Sequence, residues 1–315
     1  MKNIFLRNLI LIVFILISFK LYSLKIVVDK SGTGNTTTIS EALVFVNEGD
    51  TIFIKNGIYN EDNLLLFKDK LYIYGESNEK TIVLGTTGVP VFTISSGSSI
   101  SNLCIKLEGE PSGYAFLKTG IYVSGVLNVK INNCRFSGGE CAITVSNRTD
   151  QETSADISNN IIENYKYTAI YLENSYFEVY NNLILNDSAN ANAINFMEHC
   201  SGEIYNNTIL RSSEAFRSGY YDTLNVKIYN NIIAYCNVIM TVPENILKFY
   251  KNICWKNYLN FSDWHNDKNY EVPENLFVDP MFINYEKGDY HLGKNSPALK
   301  AGVYGKDIGA EIYKK

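Results

Sequence analysis

Short apolar segments alternate with pairs of asparagine along the middle of the chain. The clearest copy is residues 204–209 (IYNNTI), and the second asparagine of each copy falls at positions 133, 160, 182, 207, 231 and 252. The steps between these positions are 27, 22, 25, 24 and 21 residues. A period in this range is typical of solenoid proteins, in which each repeat forms one turn of the stack.

A second apolar pattern recurs after the asparagine pairs. Its copies are residues 141–145 (CAITV), 169–172 (AIYL), 193–196 (AINF) and 215–218 (AFRS), and residues 120–123 (GIYV) resemble an earlier copy. Each turn therefore carries at least two short strands with alternating residues, and none has room for a helix of ordinary length. This excludes leucine-rich and helical repeats and predicts an all-β fold, a single-stranded parallel β-helix.

Two properties of asparagine explain its place between strands. Asparagine adopts the left-handed backbone conformation more readily than other non-glycine residues, which suits a sharp bend. Amide side chains stacked one turn above another can also form a hydrogen-bonded ladder. We therefore predict that the asparagine pairs are scaffold and that they fix the register of each coil.

The first 23 residues have the features of a secretory signal peptide. Lys2 and Arg7 give a basic start, residues 9–19 are almost wholly apolar, and Ser23 is a small residue at a cleavage position. The apolar stretch is short for a membrane span, although Lys20 leaves an uncleaved anchor as the alternative. We expect a secreted, periplasmic or cell-surface protein whose mature domain covers residues 24–315.

Both ends of the predicted solenoid have patterns of their own. Residues 24–50 are expected to form an N-terminal cap that contains a helix beginning after Thr38, with Glu41 completing a capping box. The apolar face of this helix is predicted to consist of Ile39, Ala42, Leu43 and Val46. Residues 258–315 are polar and irregular, and we interpret them as a closing segment.

The two ends of the mature chain carry a family resemblance. Residues 27–34 (VVDKSGTG), 38–42 (TISEA), 49–52 (GDTI) and 57–59 (GIY) resemble the start of pectin-lyase-like right-handed parallel β-helix proteins, pectinesterases among them. The DP-x-F, GDY-x-L, SPA and DIGA elements between residues 279 and 310 resemble the ending of secreted bacterial β-helix repeat proteins. The resemblance implies a right-handed parallel β-helix but no particular reaction, because one fold hosts many activities.

The catalytic signatures of the best-known members of that superfamily are missing from the sequence. It contains no Gly-x-x-Asp-Phe run of pectinesterases and no Trp-Ile-Asp-His-like run of pectate and pectin lyases. The Asn-Thr-Asp, Asp-Asp and Gly-His-Gly runs of polygalacturonases are also missing. No catalytic residue is therefore transferred from these subfamilies.

The strand pattern still selects one face on which function can be tested. In the Ala-Ile-x-Val strands the two apolar residues should point inward and the residue between them outward. The predicted outward row is Tyr122, Thr144, Tyr171, Asn195, Arg217 and then Met240, with Ser124, Ser146, Glu173 and Met197 in the next row. The residues expected at the rim are Glu198, His199, Tyr220 and Tyr221.

We predict that this face forms a saccharide groove. The predicted substrate-binding residues are Tyr122, Tyr171, Asn195, Tyr220 and Tyr221. Tyrosine rings stack on sugars, and Arg217 can pair with a uronate carboxylate. The competing interpretation is a solvated sheet face on which tyrosines merely cover the strands, since aromatic residues are favoured there.

The predicted catalytic residues are Glu173, Glu198, His199 and Arg217. In a lyase, Arg217 or His199 would remove the proton alpha to a uronate carboxylate, and Glu173 or Glu198 would help to hold Ca²⁺. In a hydrolase, Glu173 and Glu198 would flank the scissile bond. His265 is a weaker candidate, and His291 is interpreted as structural.

Net charge and cysteine spacing argue against two classes of ligand, nucleic acid and a cysteine-bound metal ion. Without Lys2, Arg7 and Lys20, 25 of the 28 basic residues remain against 33 acidic ones, a net charge of −8 that argues against nucleic acid. The cysteines at 104, 134, 141, 200, 236 and 254 lack metal-binding spacing. We expect mostly buried thiols, with Cys104 and Cys134 as the best-placed disulfide pair.

The sequence predicts a monomeric, secreted β-helix protein that binds or cleaves a polysaccharide or cell-surface glycan. A uronate-containing chain is one candidate substrate, and Ca²⁺ is the expected cofactor if the protein is a lyase. The alternative is a non-catalytic surface adhesin or a structural β-helix protein.

Overall fold

Three parallel β-sheets wind into a solenoid in the computed structural model of the protein. The structure describes residues 23–109, 118–147, 151–187, 190–219, 224–241, 248–262 and 274–311. Each full coil contributes one strand to each sheet, so the predicted all-β parallel β-helix is confirmed.

The strands are numbered here in chain order. The first nine are β1 (Lys25–Val28), β2 (Thr51–Ile54), β3 (Gly57–Asn60), β4 (Leu64–Leu65), β5 (Tyr72–Gly75), β6 (Thr81–Gly85), β7 (Phe92–Thr93), β8 (Ser99–Ser101) and β9 (Cys104–Leu107). The next ten are β10 (Thr119–Val123), β11 (Val129–Asn132), β12 (Arg135–Gly138), β13 (Cys141–Ser146), β14 (Ser154–Ser158), β15 (Ile161–Glu163), β16 (Thr168–Glu173), β17 (Tyr176–Tyr180), β18 (Leu183–Leu185) and β19 (Asn192–Met197). The others are β20 (Ser201–Tyr205), β21 (Thr208–Leu210), β22 (Glu214–Ser218), β23 (Asn225–Tyr229), β24 (Ile232–Ala234), β25 (Val238–Thr241), β26 (Lys248–Tyr250), β27 (Ile253–Trp255), β28 (Leu259–Ser262), β29 (Phe282–Asn284) and β30 (Asp289–Leu292).

The three long sheets are stacks of corresponding strands from successive coils. Sheet A consists of β1, β2, β5, β8, β11, β14, β17, β20, β23 and β26. Sheet B consists of β3, β6, β9, β12, β15, β18, β21, β24 and β27, and sheet C of β4, β7, β10, β13, β16, β19, β22, β25 and β28. In the central coils the chain passes from sheet A to sheet B across the asparagine pair and then continues to sheet C.

The two asparagines of each pair have different roles. The first lies in the left-handed backbone region, with φ of 57° at Asn159, 55° at Asn181 and 53° at Asn206. The second is fully buried and forms a ladder, the members of which are Asn160, Asn182, Asn207, Asn231 and Asn252. Both predicted properties of asparagine are therefore present, divided between neighbouring residues.

Each ladder amide links three coils. The backbone N–H of Asn182 donates to Asn207 Oδ1 at 2.9 Å, and Asn182 Nδ2 donates to the same oxygen at 3.0 Å. Asn182 Nδ2 also donates to the backbone oxygen of Ile157 in the preceding coil at 2.9 Å. The buried amides are thus satisfied by partners in the scaffold itself, as buried polar groups must be.

The prediction that Asn133 is a second, ladder asparagine was wrong by one residue. Asn132 pairs with Ser158, so Asn133 lies at the left-handed position, where its φ is 52°. Cys134 takes the ladder position and its N–H donates to Asn160 Oδ1 at 2.9 Å. Cys134 therefore occupies the position of a ladder asparagine without its amide, and the first asparagine of the ladder is Asn160 in the next coil.

The interior is filled by columns of aliphatic side chains at matching positions. Ile131, Ile157, Val179, Ile204 and Ile228 form such a column in sheet A, and all are fully buried. Burying each of these side chains contributes roughly 1.5–3 kcal/mol. Because neighbouring coils share the same columns, a coil depends on those above and below it for its stability.

The N-terminal helix α1 (Ile39–Phe45) begins as predicted. Thr38 is the N-cap, and its side chain accepts a hydrogen bond from the N–H of Glu41 at 3.2 Å. The carboxylate of Glu41 accepts a hydrogen bond from the N–H of Thr37, one residue before the N-cap Thr38. The predicted apolar face is also present, since Ile39, Ala42 and Val46 are buried and Leu43 packs against the core.

The C-terminal segment lies along the outside of sheet B. It contains the antiparallel pair β29–β30 and two short 3₁₀ turns. Ala298 and Ile308 pack on Ile232 and Ile253, and Tyr290 packs beside Leu210. Its closing residues therefore cover the side of the solenoid. None of the helices that the structure describes has the length and apolar character needed to span a bilayer.

We predict unequal effects from substituting the two members of one asparagine pair. Asn160→Ala leaves the N–H of Cys134 and the carbonyl of Ile131 without their partners, so the free energy of unfolding should fall by about 3 kcal/mol or more. Asn159→Gly keeps the left-handed turn accessible and should cost less than about 1 kcal/mol. Urea unfolding of both variants checks this, and equal losses would contradict the division of roles.

Candidate functional site

The strands of sheet C place the predicted outward row in a single column. Pairing matches Tyr122 to Thr144, Thr144 to Tyr171, Tyr171 to Asn195 and Asn195 to Arg217. The prediction that Met240 continues this row was wrong. Met240 pairs with Phe216 and is fully buried in the core, whereas Thr241 pairs with Arg217. Strand β25 has only four residues, so its sequence alone did not determine which of Met240 and Thr241 continues the row.

The column does not form the open floor that the sequence suggested. Asn195 is 0% exposed, Tyr171 is 6% exposed, and Thr144 is also buried. Tyr122 and Arg217 are partly exposed. Coils roughly 4.8 Å apart allow the long side chains on either side of Asn195 to cover the short one between them.

Glu173 lies in the second outward column, between Ser146 and Met197 in the neighbouring coils. Its carboxylate accepts hydrogen bonds from the hydroxyl of Ser146 and, at 3.3 Å, from the hydroxyl of Tyr171. Two hydroxyl donors therefore orient this carboxylate. The structure therefore brings Tyr171 and Glu173 together, as predicted.

Arg217 has an acidic partner that the sequence reasoning missed. Glu214 Oε1 lies 3.5 Å from Arg217 Nη1, and Glu214 Oε2 accepts a 2.7 Å hydrogen bond from Thr241. The side chain of Glu214 is 16% exposed. The sequence contains a signal for this position. In three successive copies of the strand, the residue before the alanine is polar: Thr168, Asn192 and Glu214.

Asn195 is a buried member of the column whose side-chain amide is not hydrogen-bonded within the described structure. Neither its Nδ2 nor its Oδ1 atom has a hydrogen-bond partner, although both atoms are buried. An unsatisfied buried amide costs about 1–3 kcal/mol. The ladder asparagines are equally buried, but their side-chain amides are hydrogen-bonded. The fold therefore does not require an unsatisfied asparagine on its strands.

The predicted rim residues fall into two groups. Glu198 and His199 are exposed in the turn after β19, and Glu198 has a left-handed φ of 56°. Glu198 follows Met197, which pairs with Glu173, so the two glutamates are diagonal neighbours on adjacent coils. Tyr220, Tyr221 and His265 lie outside the described residues. His291 lies beside Asp289 in the C-terminal segment, with Nδ1 at 2.5 Å from the carboxylate.

The described residues do not fit a calcium site. Across the ranges that the structure covers, no group of three His, Cys, Asp or Glu side chains is placed to hold a metal ion. Glu173 already accepts two hydroxyl hydrogen bonds. Ca²⁺ prefers six to eight oxygen ligands, and the described side chains around Glu173 do not supply such a set.

The cysteines are part of the core rather than of a site. All six are buried. Cys104 and Cys134 are not joined, so the predicted Cys104–Cys134 disulfide is not formed. Cys134 Sγ lies inside the ladder column, 3.3 Å from the carbonyl oxygen of Asn132. Burial raises the pKa of the Cys134, Cys141 and Cys236 thiols to about 12. Such thiols are protonated and poorly nucleophilic at neutral pH.

Solved structures with the same fold include two with a TM-score above 0.5. The pectate lyase Pel9A matches with 13% identity and a TM-score of 0.54, over 91% of this chain and 95% of that chain. The catalytic domain of a GH87 alpha-1,3-glucanase in complex with nigerose matches with 17% identity and a TM-score of 0.53. That match covers 69% of this chain and 44% of the glucanase structure. At these identities the likeness concerns the fold.

The sequence itself identifies the family. No curated protein matches the chain. A family model described as "Right handed beta helix region" matches residues 119–277, which include the asparagine ladder and the strands of sheet C from β10 to β28. The chain therefore belongs to the right-handed beta helix family.

Proposed function

We propose that the protein binds a neutral polysaccharide across the outer face of sheet C. The observation that carries this proposal is Asn195, a fully buried amide with no partner in the described structure. It lies in register between Tyr171 and Arg217. Amide groups bind sugar hydroxyls as both donors and acceptors, so a bound glycan would satisfy the two orphan atoms once a neighbouring side chain moves aside.

The charges on this face favour a neutral chain over a uronate. Arg217 was expected to pair with a substrate carboxylate, but Glu214 already lies beside its guanidinium. Glu173 and Glu198 add two further acidic groups. Polyanions are repelled where carboxylates outnumber cations. Arg217 and Glu214 are therefore assigned to hydrogen bonding with sugar hydroxyls.

The fold relatives support a polysaccharide ligand. One is named as a pectate lyase, and the other is named as an alpha-1,3-glucanase holding nigerose. Both are β-helix proteins that act on carbohydrate chains. Because a fold alone does not determine an activity, this likeness supports the substrate class and leaves the reaction to the site.

Hydrolysis is the second candidate function, and the positions of Glu173 and Glu198 favour it. Glycoside hydrolysis uses one carboxylic acid to protonate the leaving oxygen and one carboxylate as base or nucleophile. The hydroxyls of Ser146 and Tyr171 orient Glu173 for the carboxylate role. Glu198 is exposed on the adjacent coil and is assigned the role of acid. A lyase with Arg217 as base is less favoured, because the guanidinium of Arg217 already faces the carboxylate of Glu214.

We predict that Asn195→Leu affects stability and binding in opposite directions. Leucine has a similar volume and no polar atoms, so the variant should be about 1 kcal/mol more stable to urea than the native protein. Polysaccharide binding should weaken at least tenfold. The same change at Asn182, a satisfied ladder residue, should destabilise the protein. A loss of stability in Asn195→Leu would show that this amide is scaffold.

A polysaccharide panel tests the proposed function directly. Xylan, mannan and dextran serve as neutral probes, and polygalacturonate and alginate as acidic ones, with binding measured by affinity electrophoresis. We expect retardation by a neutral probe and at least tenfold weaker binding in the Tyr171→Phe and Arg217→Gln double variant. The double variant Tyr258→Phe and Lys80→Gln, which changes exposed residues elsewhere, is the matched control.

The same samples distinguish an enzyme from a binding protein. New reducing ends that depend on Glu173 and Glu198 indicate a hydrolase, and unsaturated uronate absorbance indicates a lyase. Binding without turnover identifies a non-catalytic module. Equal binding by the native protein and the site double variant would remove sheet C as the glycan site.

A further inference from the structure

Sheet A carries a column of stacked tyrosines that no part of the sheet C site uses. The column, which we call the tyrosine stack, consists of Tyr180, Tyr205, Tyr229 and Tyr250, each at the end of a strand. Neighbouring ring centroids are 5.0, 5.2 and 5.3 Å apart, and the rings are within 4°, 7° and 18° of parallel. All four rings are partly exposed on the outer face.

The hydroxyls of Tyr180, Tyr205 and Tyr229 donate to carboxylates in the preceding coils. The oxygen–oxygen distances are 3.4 Å from Tyr180 to Asp156, 3.3 Å from Tyr205 to Glu178 and 2.8 Å from Tyr229 to Glu203. Burial, followed by the neighbouring carboxylate, raises the pKa of Tyr205. Lys227 offsets the charge of Glu203 at a distance of 2.7 Å. The stack is therefore a row of neutral rings and oriented polar groups.

The C-terminal strap, residues 302–311, runs beside the stack. Hydrogen bonds hold the strap to the asparagine turns, at 2.8 Å from Val303 N to Asn230 Oδ1, 2.7 Å from Asn206 Nδ2 to the Asp307 oxygen, and 2.9 Å from Ala310 N to Thr208 Oγ1. Between the strap and the stack lies a groove of about 360 Å³. One wall presents tyrosine edges, and the other presents Val303, Tyr304, Lys306 and Glu311.

Tyr304 lies at the edge of this groove and is almost fully exposed. Its side chain is 96% exposed, and its backbone is left-handed, with φ of 58° and ψ of 25°. Tyr235 has the same left-handed backbone, with φ of 60°, so Tyr304 is distinguished by its exposure rather than by its backbone. The Tyr304 side chain buries almost no surface, so packing within the protein does not account for an aromatic residue at this position. Both of its faces are accessible to a ligand.

The groove has the features that bind a neutral sugar chain. The rings of the stack cover one another's faces, so the stack offers edges and hydroxyls, whereas Tyr304 offers a free face for a pyranose ring. Lys306 and Glu311 carry opposite charges, and the carboxylates beneath the stack disfavour a uronate. The spacing of 5.0–5.3 Å between rings is close to the advance of one pyranose unit in an extended glycan.

We propose that this groove is a second glycan-binding site, which takes a neutral oligosaccharide along the coil axis with one sugar per coil. It lies on sheet A and is separate from the site proposed on sheet C. Because the asparagine turns hold the strap, the groove exists before ligand arrives. The site would hold a polymer chain against the protein without acting on a glycosidic bond.

Isothermal titration with defined oligosaccharides tests this proposal. The probes are cellohexaose and xylohexaose, with a galacturonate hexamer as the anionic comparison. We expect a neutral hexamer to bind, and Tyr304→Ala to weaken that binding roughly five- to tenfold through the lost ring contact. Tyr258→Ala removes another highly exposed tyrosine, 82% accessible and outside the groove, and should bind as the native protein does.

A second measurement separates this site from the one on sheet C. The Tyr171→Phe and Arg217→Gln double variant should retain the component of binding that Tyr304→Ala removes, even if the sheet C proposal fails. Unchanged affinity in Tyr304→Ala, binding of the galacturonate hexamer alone, or binding of neither neutral hexamer overturns the proposal. Self-association that Tyr304→Ala abolishes, without any glycan binding, would instead assign the groove to a second copy of the chain.

Discussion

The buried asparagine ladder is the interaction on which the other features of this β-helix depend. Each ladder asparagine accepts hydrogen bonds from its counterpart in the preceding coil and donates its own to the counterpart in the next coil. Asn207 Oδ1 accepts from the N–H of Asn182, and the N–H and Nδ2 of Asn207 donate to Asn231 Oδ1. Asn207 Nδ2 also donates to the backbone oxygen of Val179 in the preceding coil. An amide deep in an apolar interior is unfavourable unless every polar atom is satisfied. Only one register of the coils satisfies all members together, so the ladder specifies that register more sharply than the aliphatic columns alone can.

A fixed register converts a one-dimensional repeat into surfaces with defined chemistry. On sheet C it brings Tyr171, Asn195 and Arg217 into one column. On sheet A it stacks Tyr180, Tyr205, Tyr229 and Tyr250, each of which lies two residues before a ladder asparagine. The first asparagines of the pairs then provide the hydrogen bonds that hold the C-terminal strap against the coils. Scaffold and candidate sites therefore share the same residues or their immediate neighbours.

The fold could be predicted from the sequence because its determinants are local and periodic. Spacing of the asparagines, alternation in the strands and the cap around Thr38 each survive in a single sequence. Register failed where a copy was atypical: Asn133 was assigned one position too far along, and Met240 was placed outside although it pairs with Phe216 in the core. In both cases the strand has only four residues, too few to determine its alignment with the strand of the neighbouring coil.

The candidate site was predicted less well because it depends on side-chain length and on contacts between coils. The sequence located Tyr171, Glu173, Asn195 and Arg217 on one face but not the burial of Asn195 beneath longer neighbours. Glu214 was missed because its interaction with Thr241 joins residues 27 positions apart. The tyrosine stack was visible in the repeated Ile-Tyr-Asn-Asn motif, yet its groove requires a strap from the distant end of the chain.

Amide hydrogen exchange measured residue by residue in the native protein tests the central role of the ladder most directly. The N–H groups of Asn160, Asn182 and Asn207 donate to buried amide oxygens, whereas those of Asn159, Asn181 and Asn206 donate to backbone oxygens at 3.3–3.4 Å. The account predicts that the ladder N–H groups exchange slowest and only through opening of the whole stack. Exchange at the ladder positions as fast as at their left-handed neighbours would contradict it.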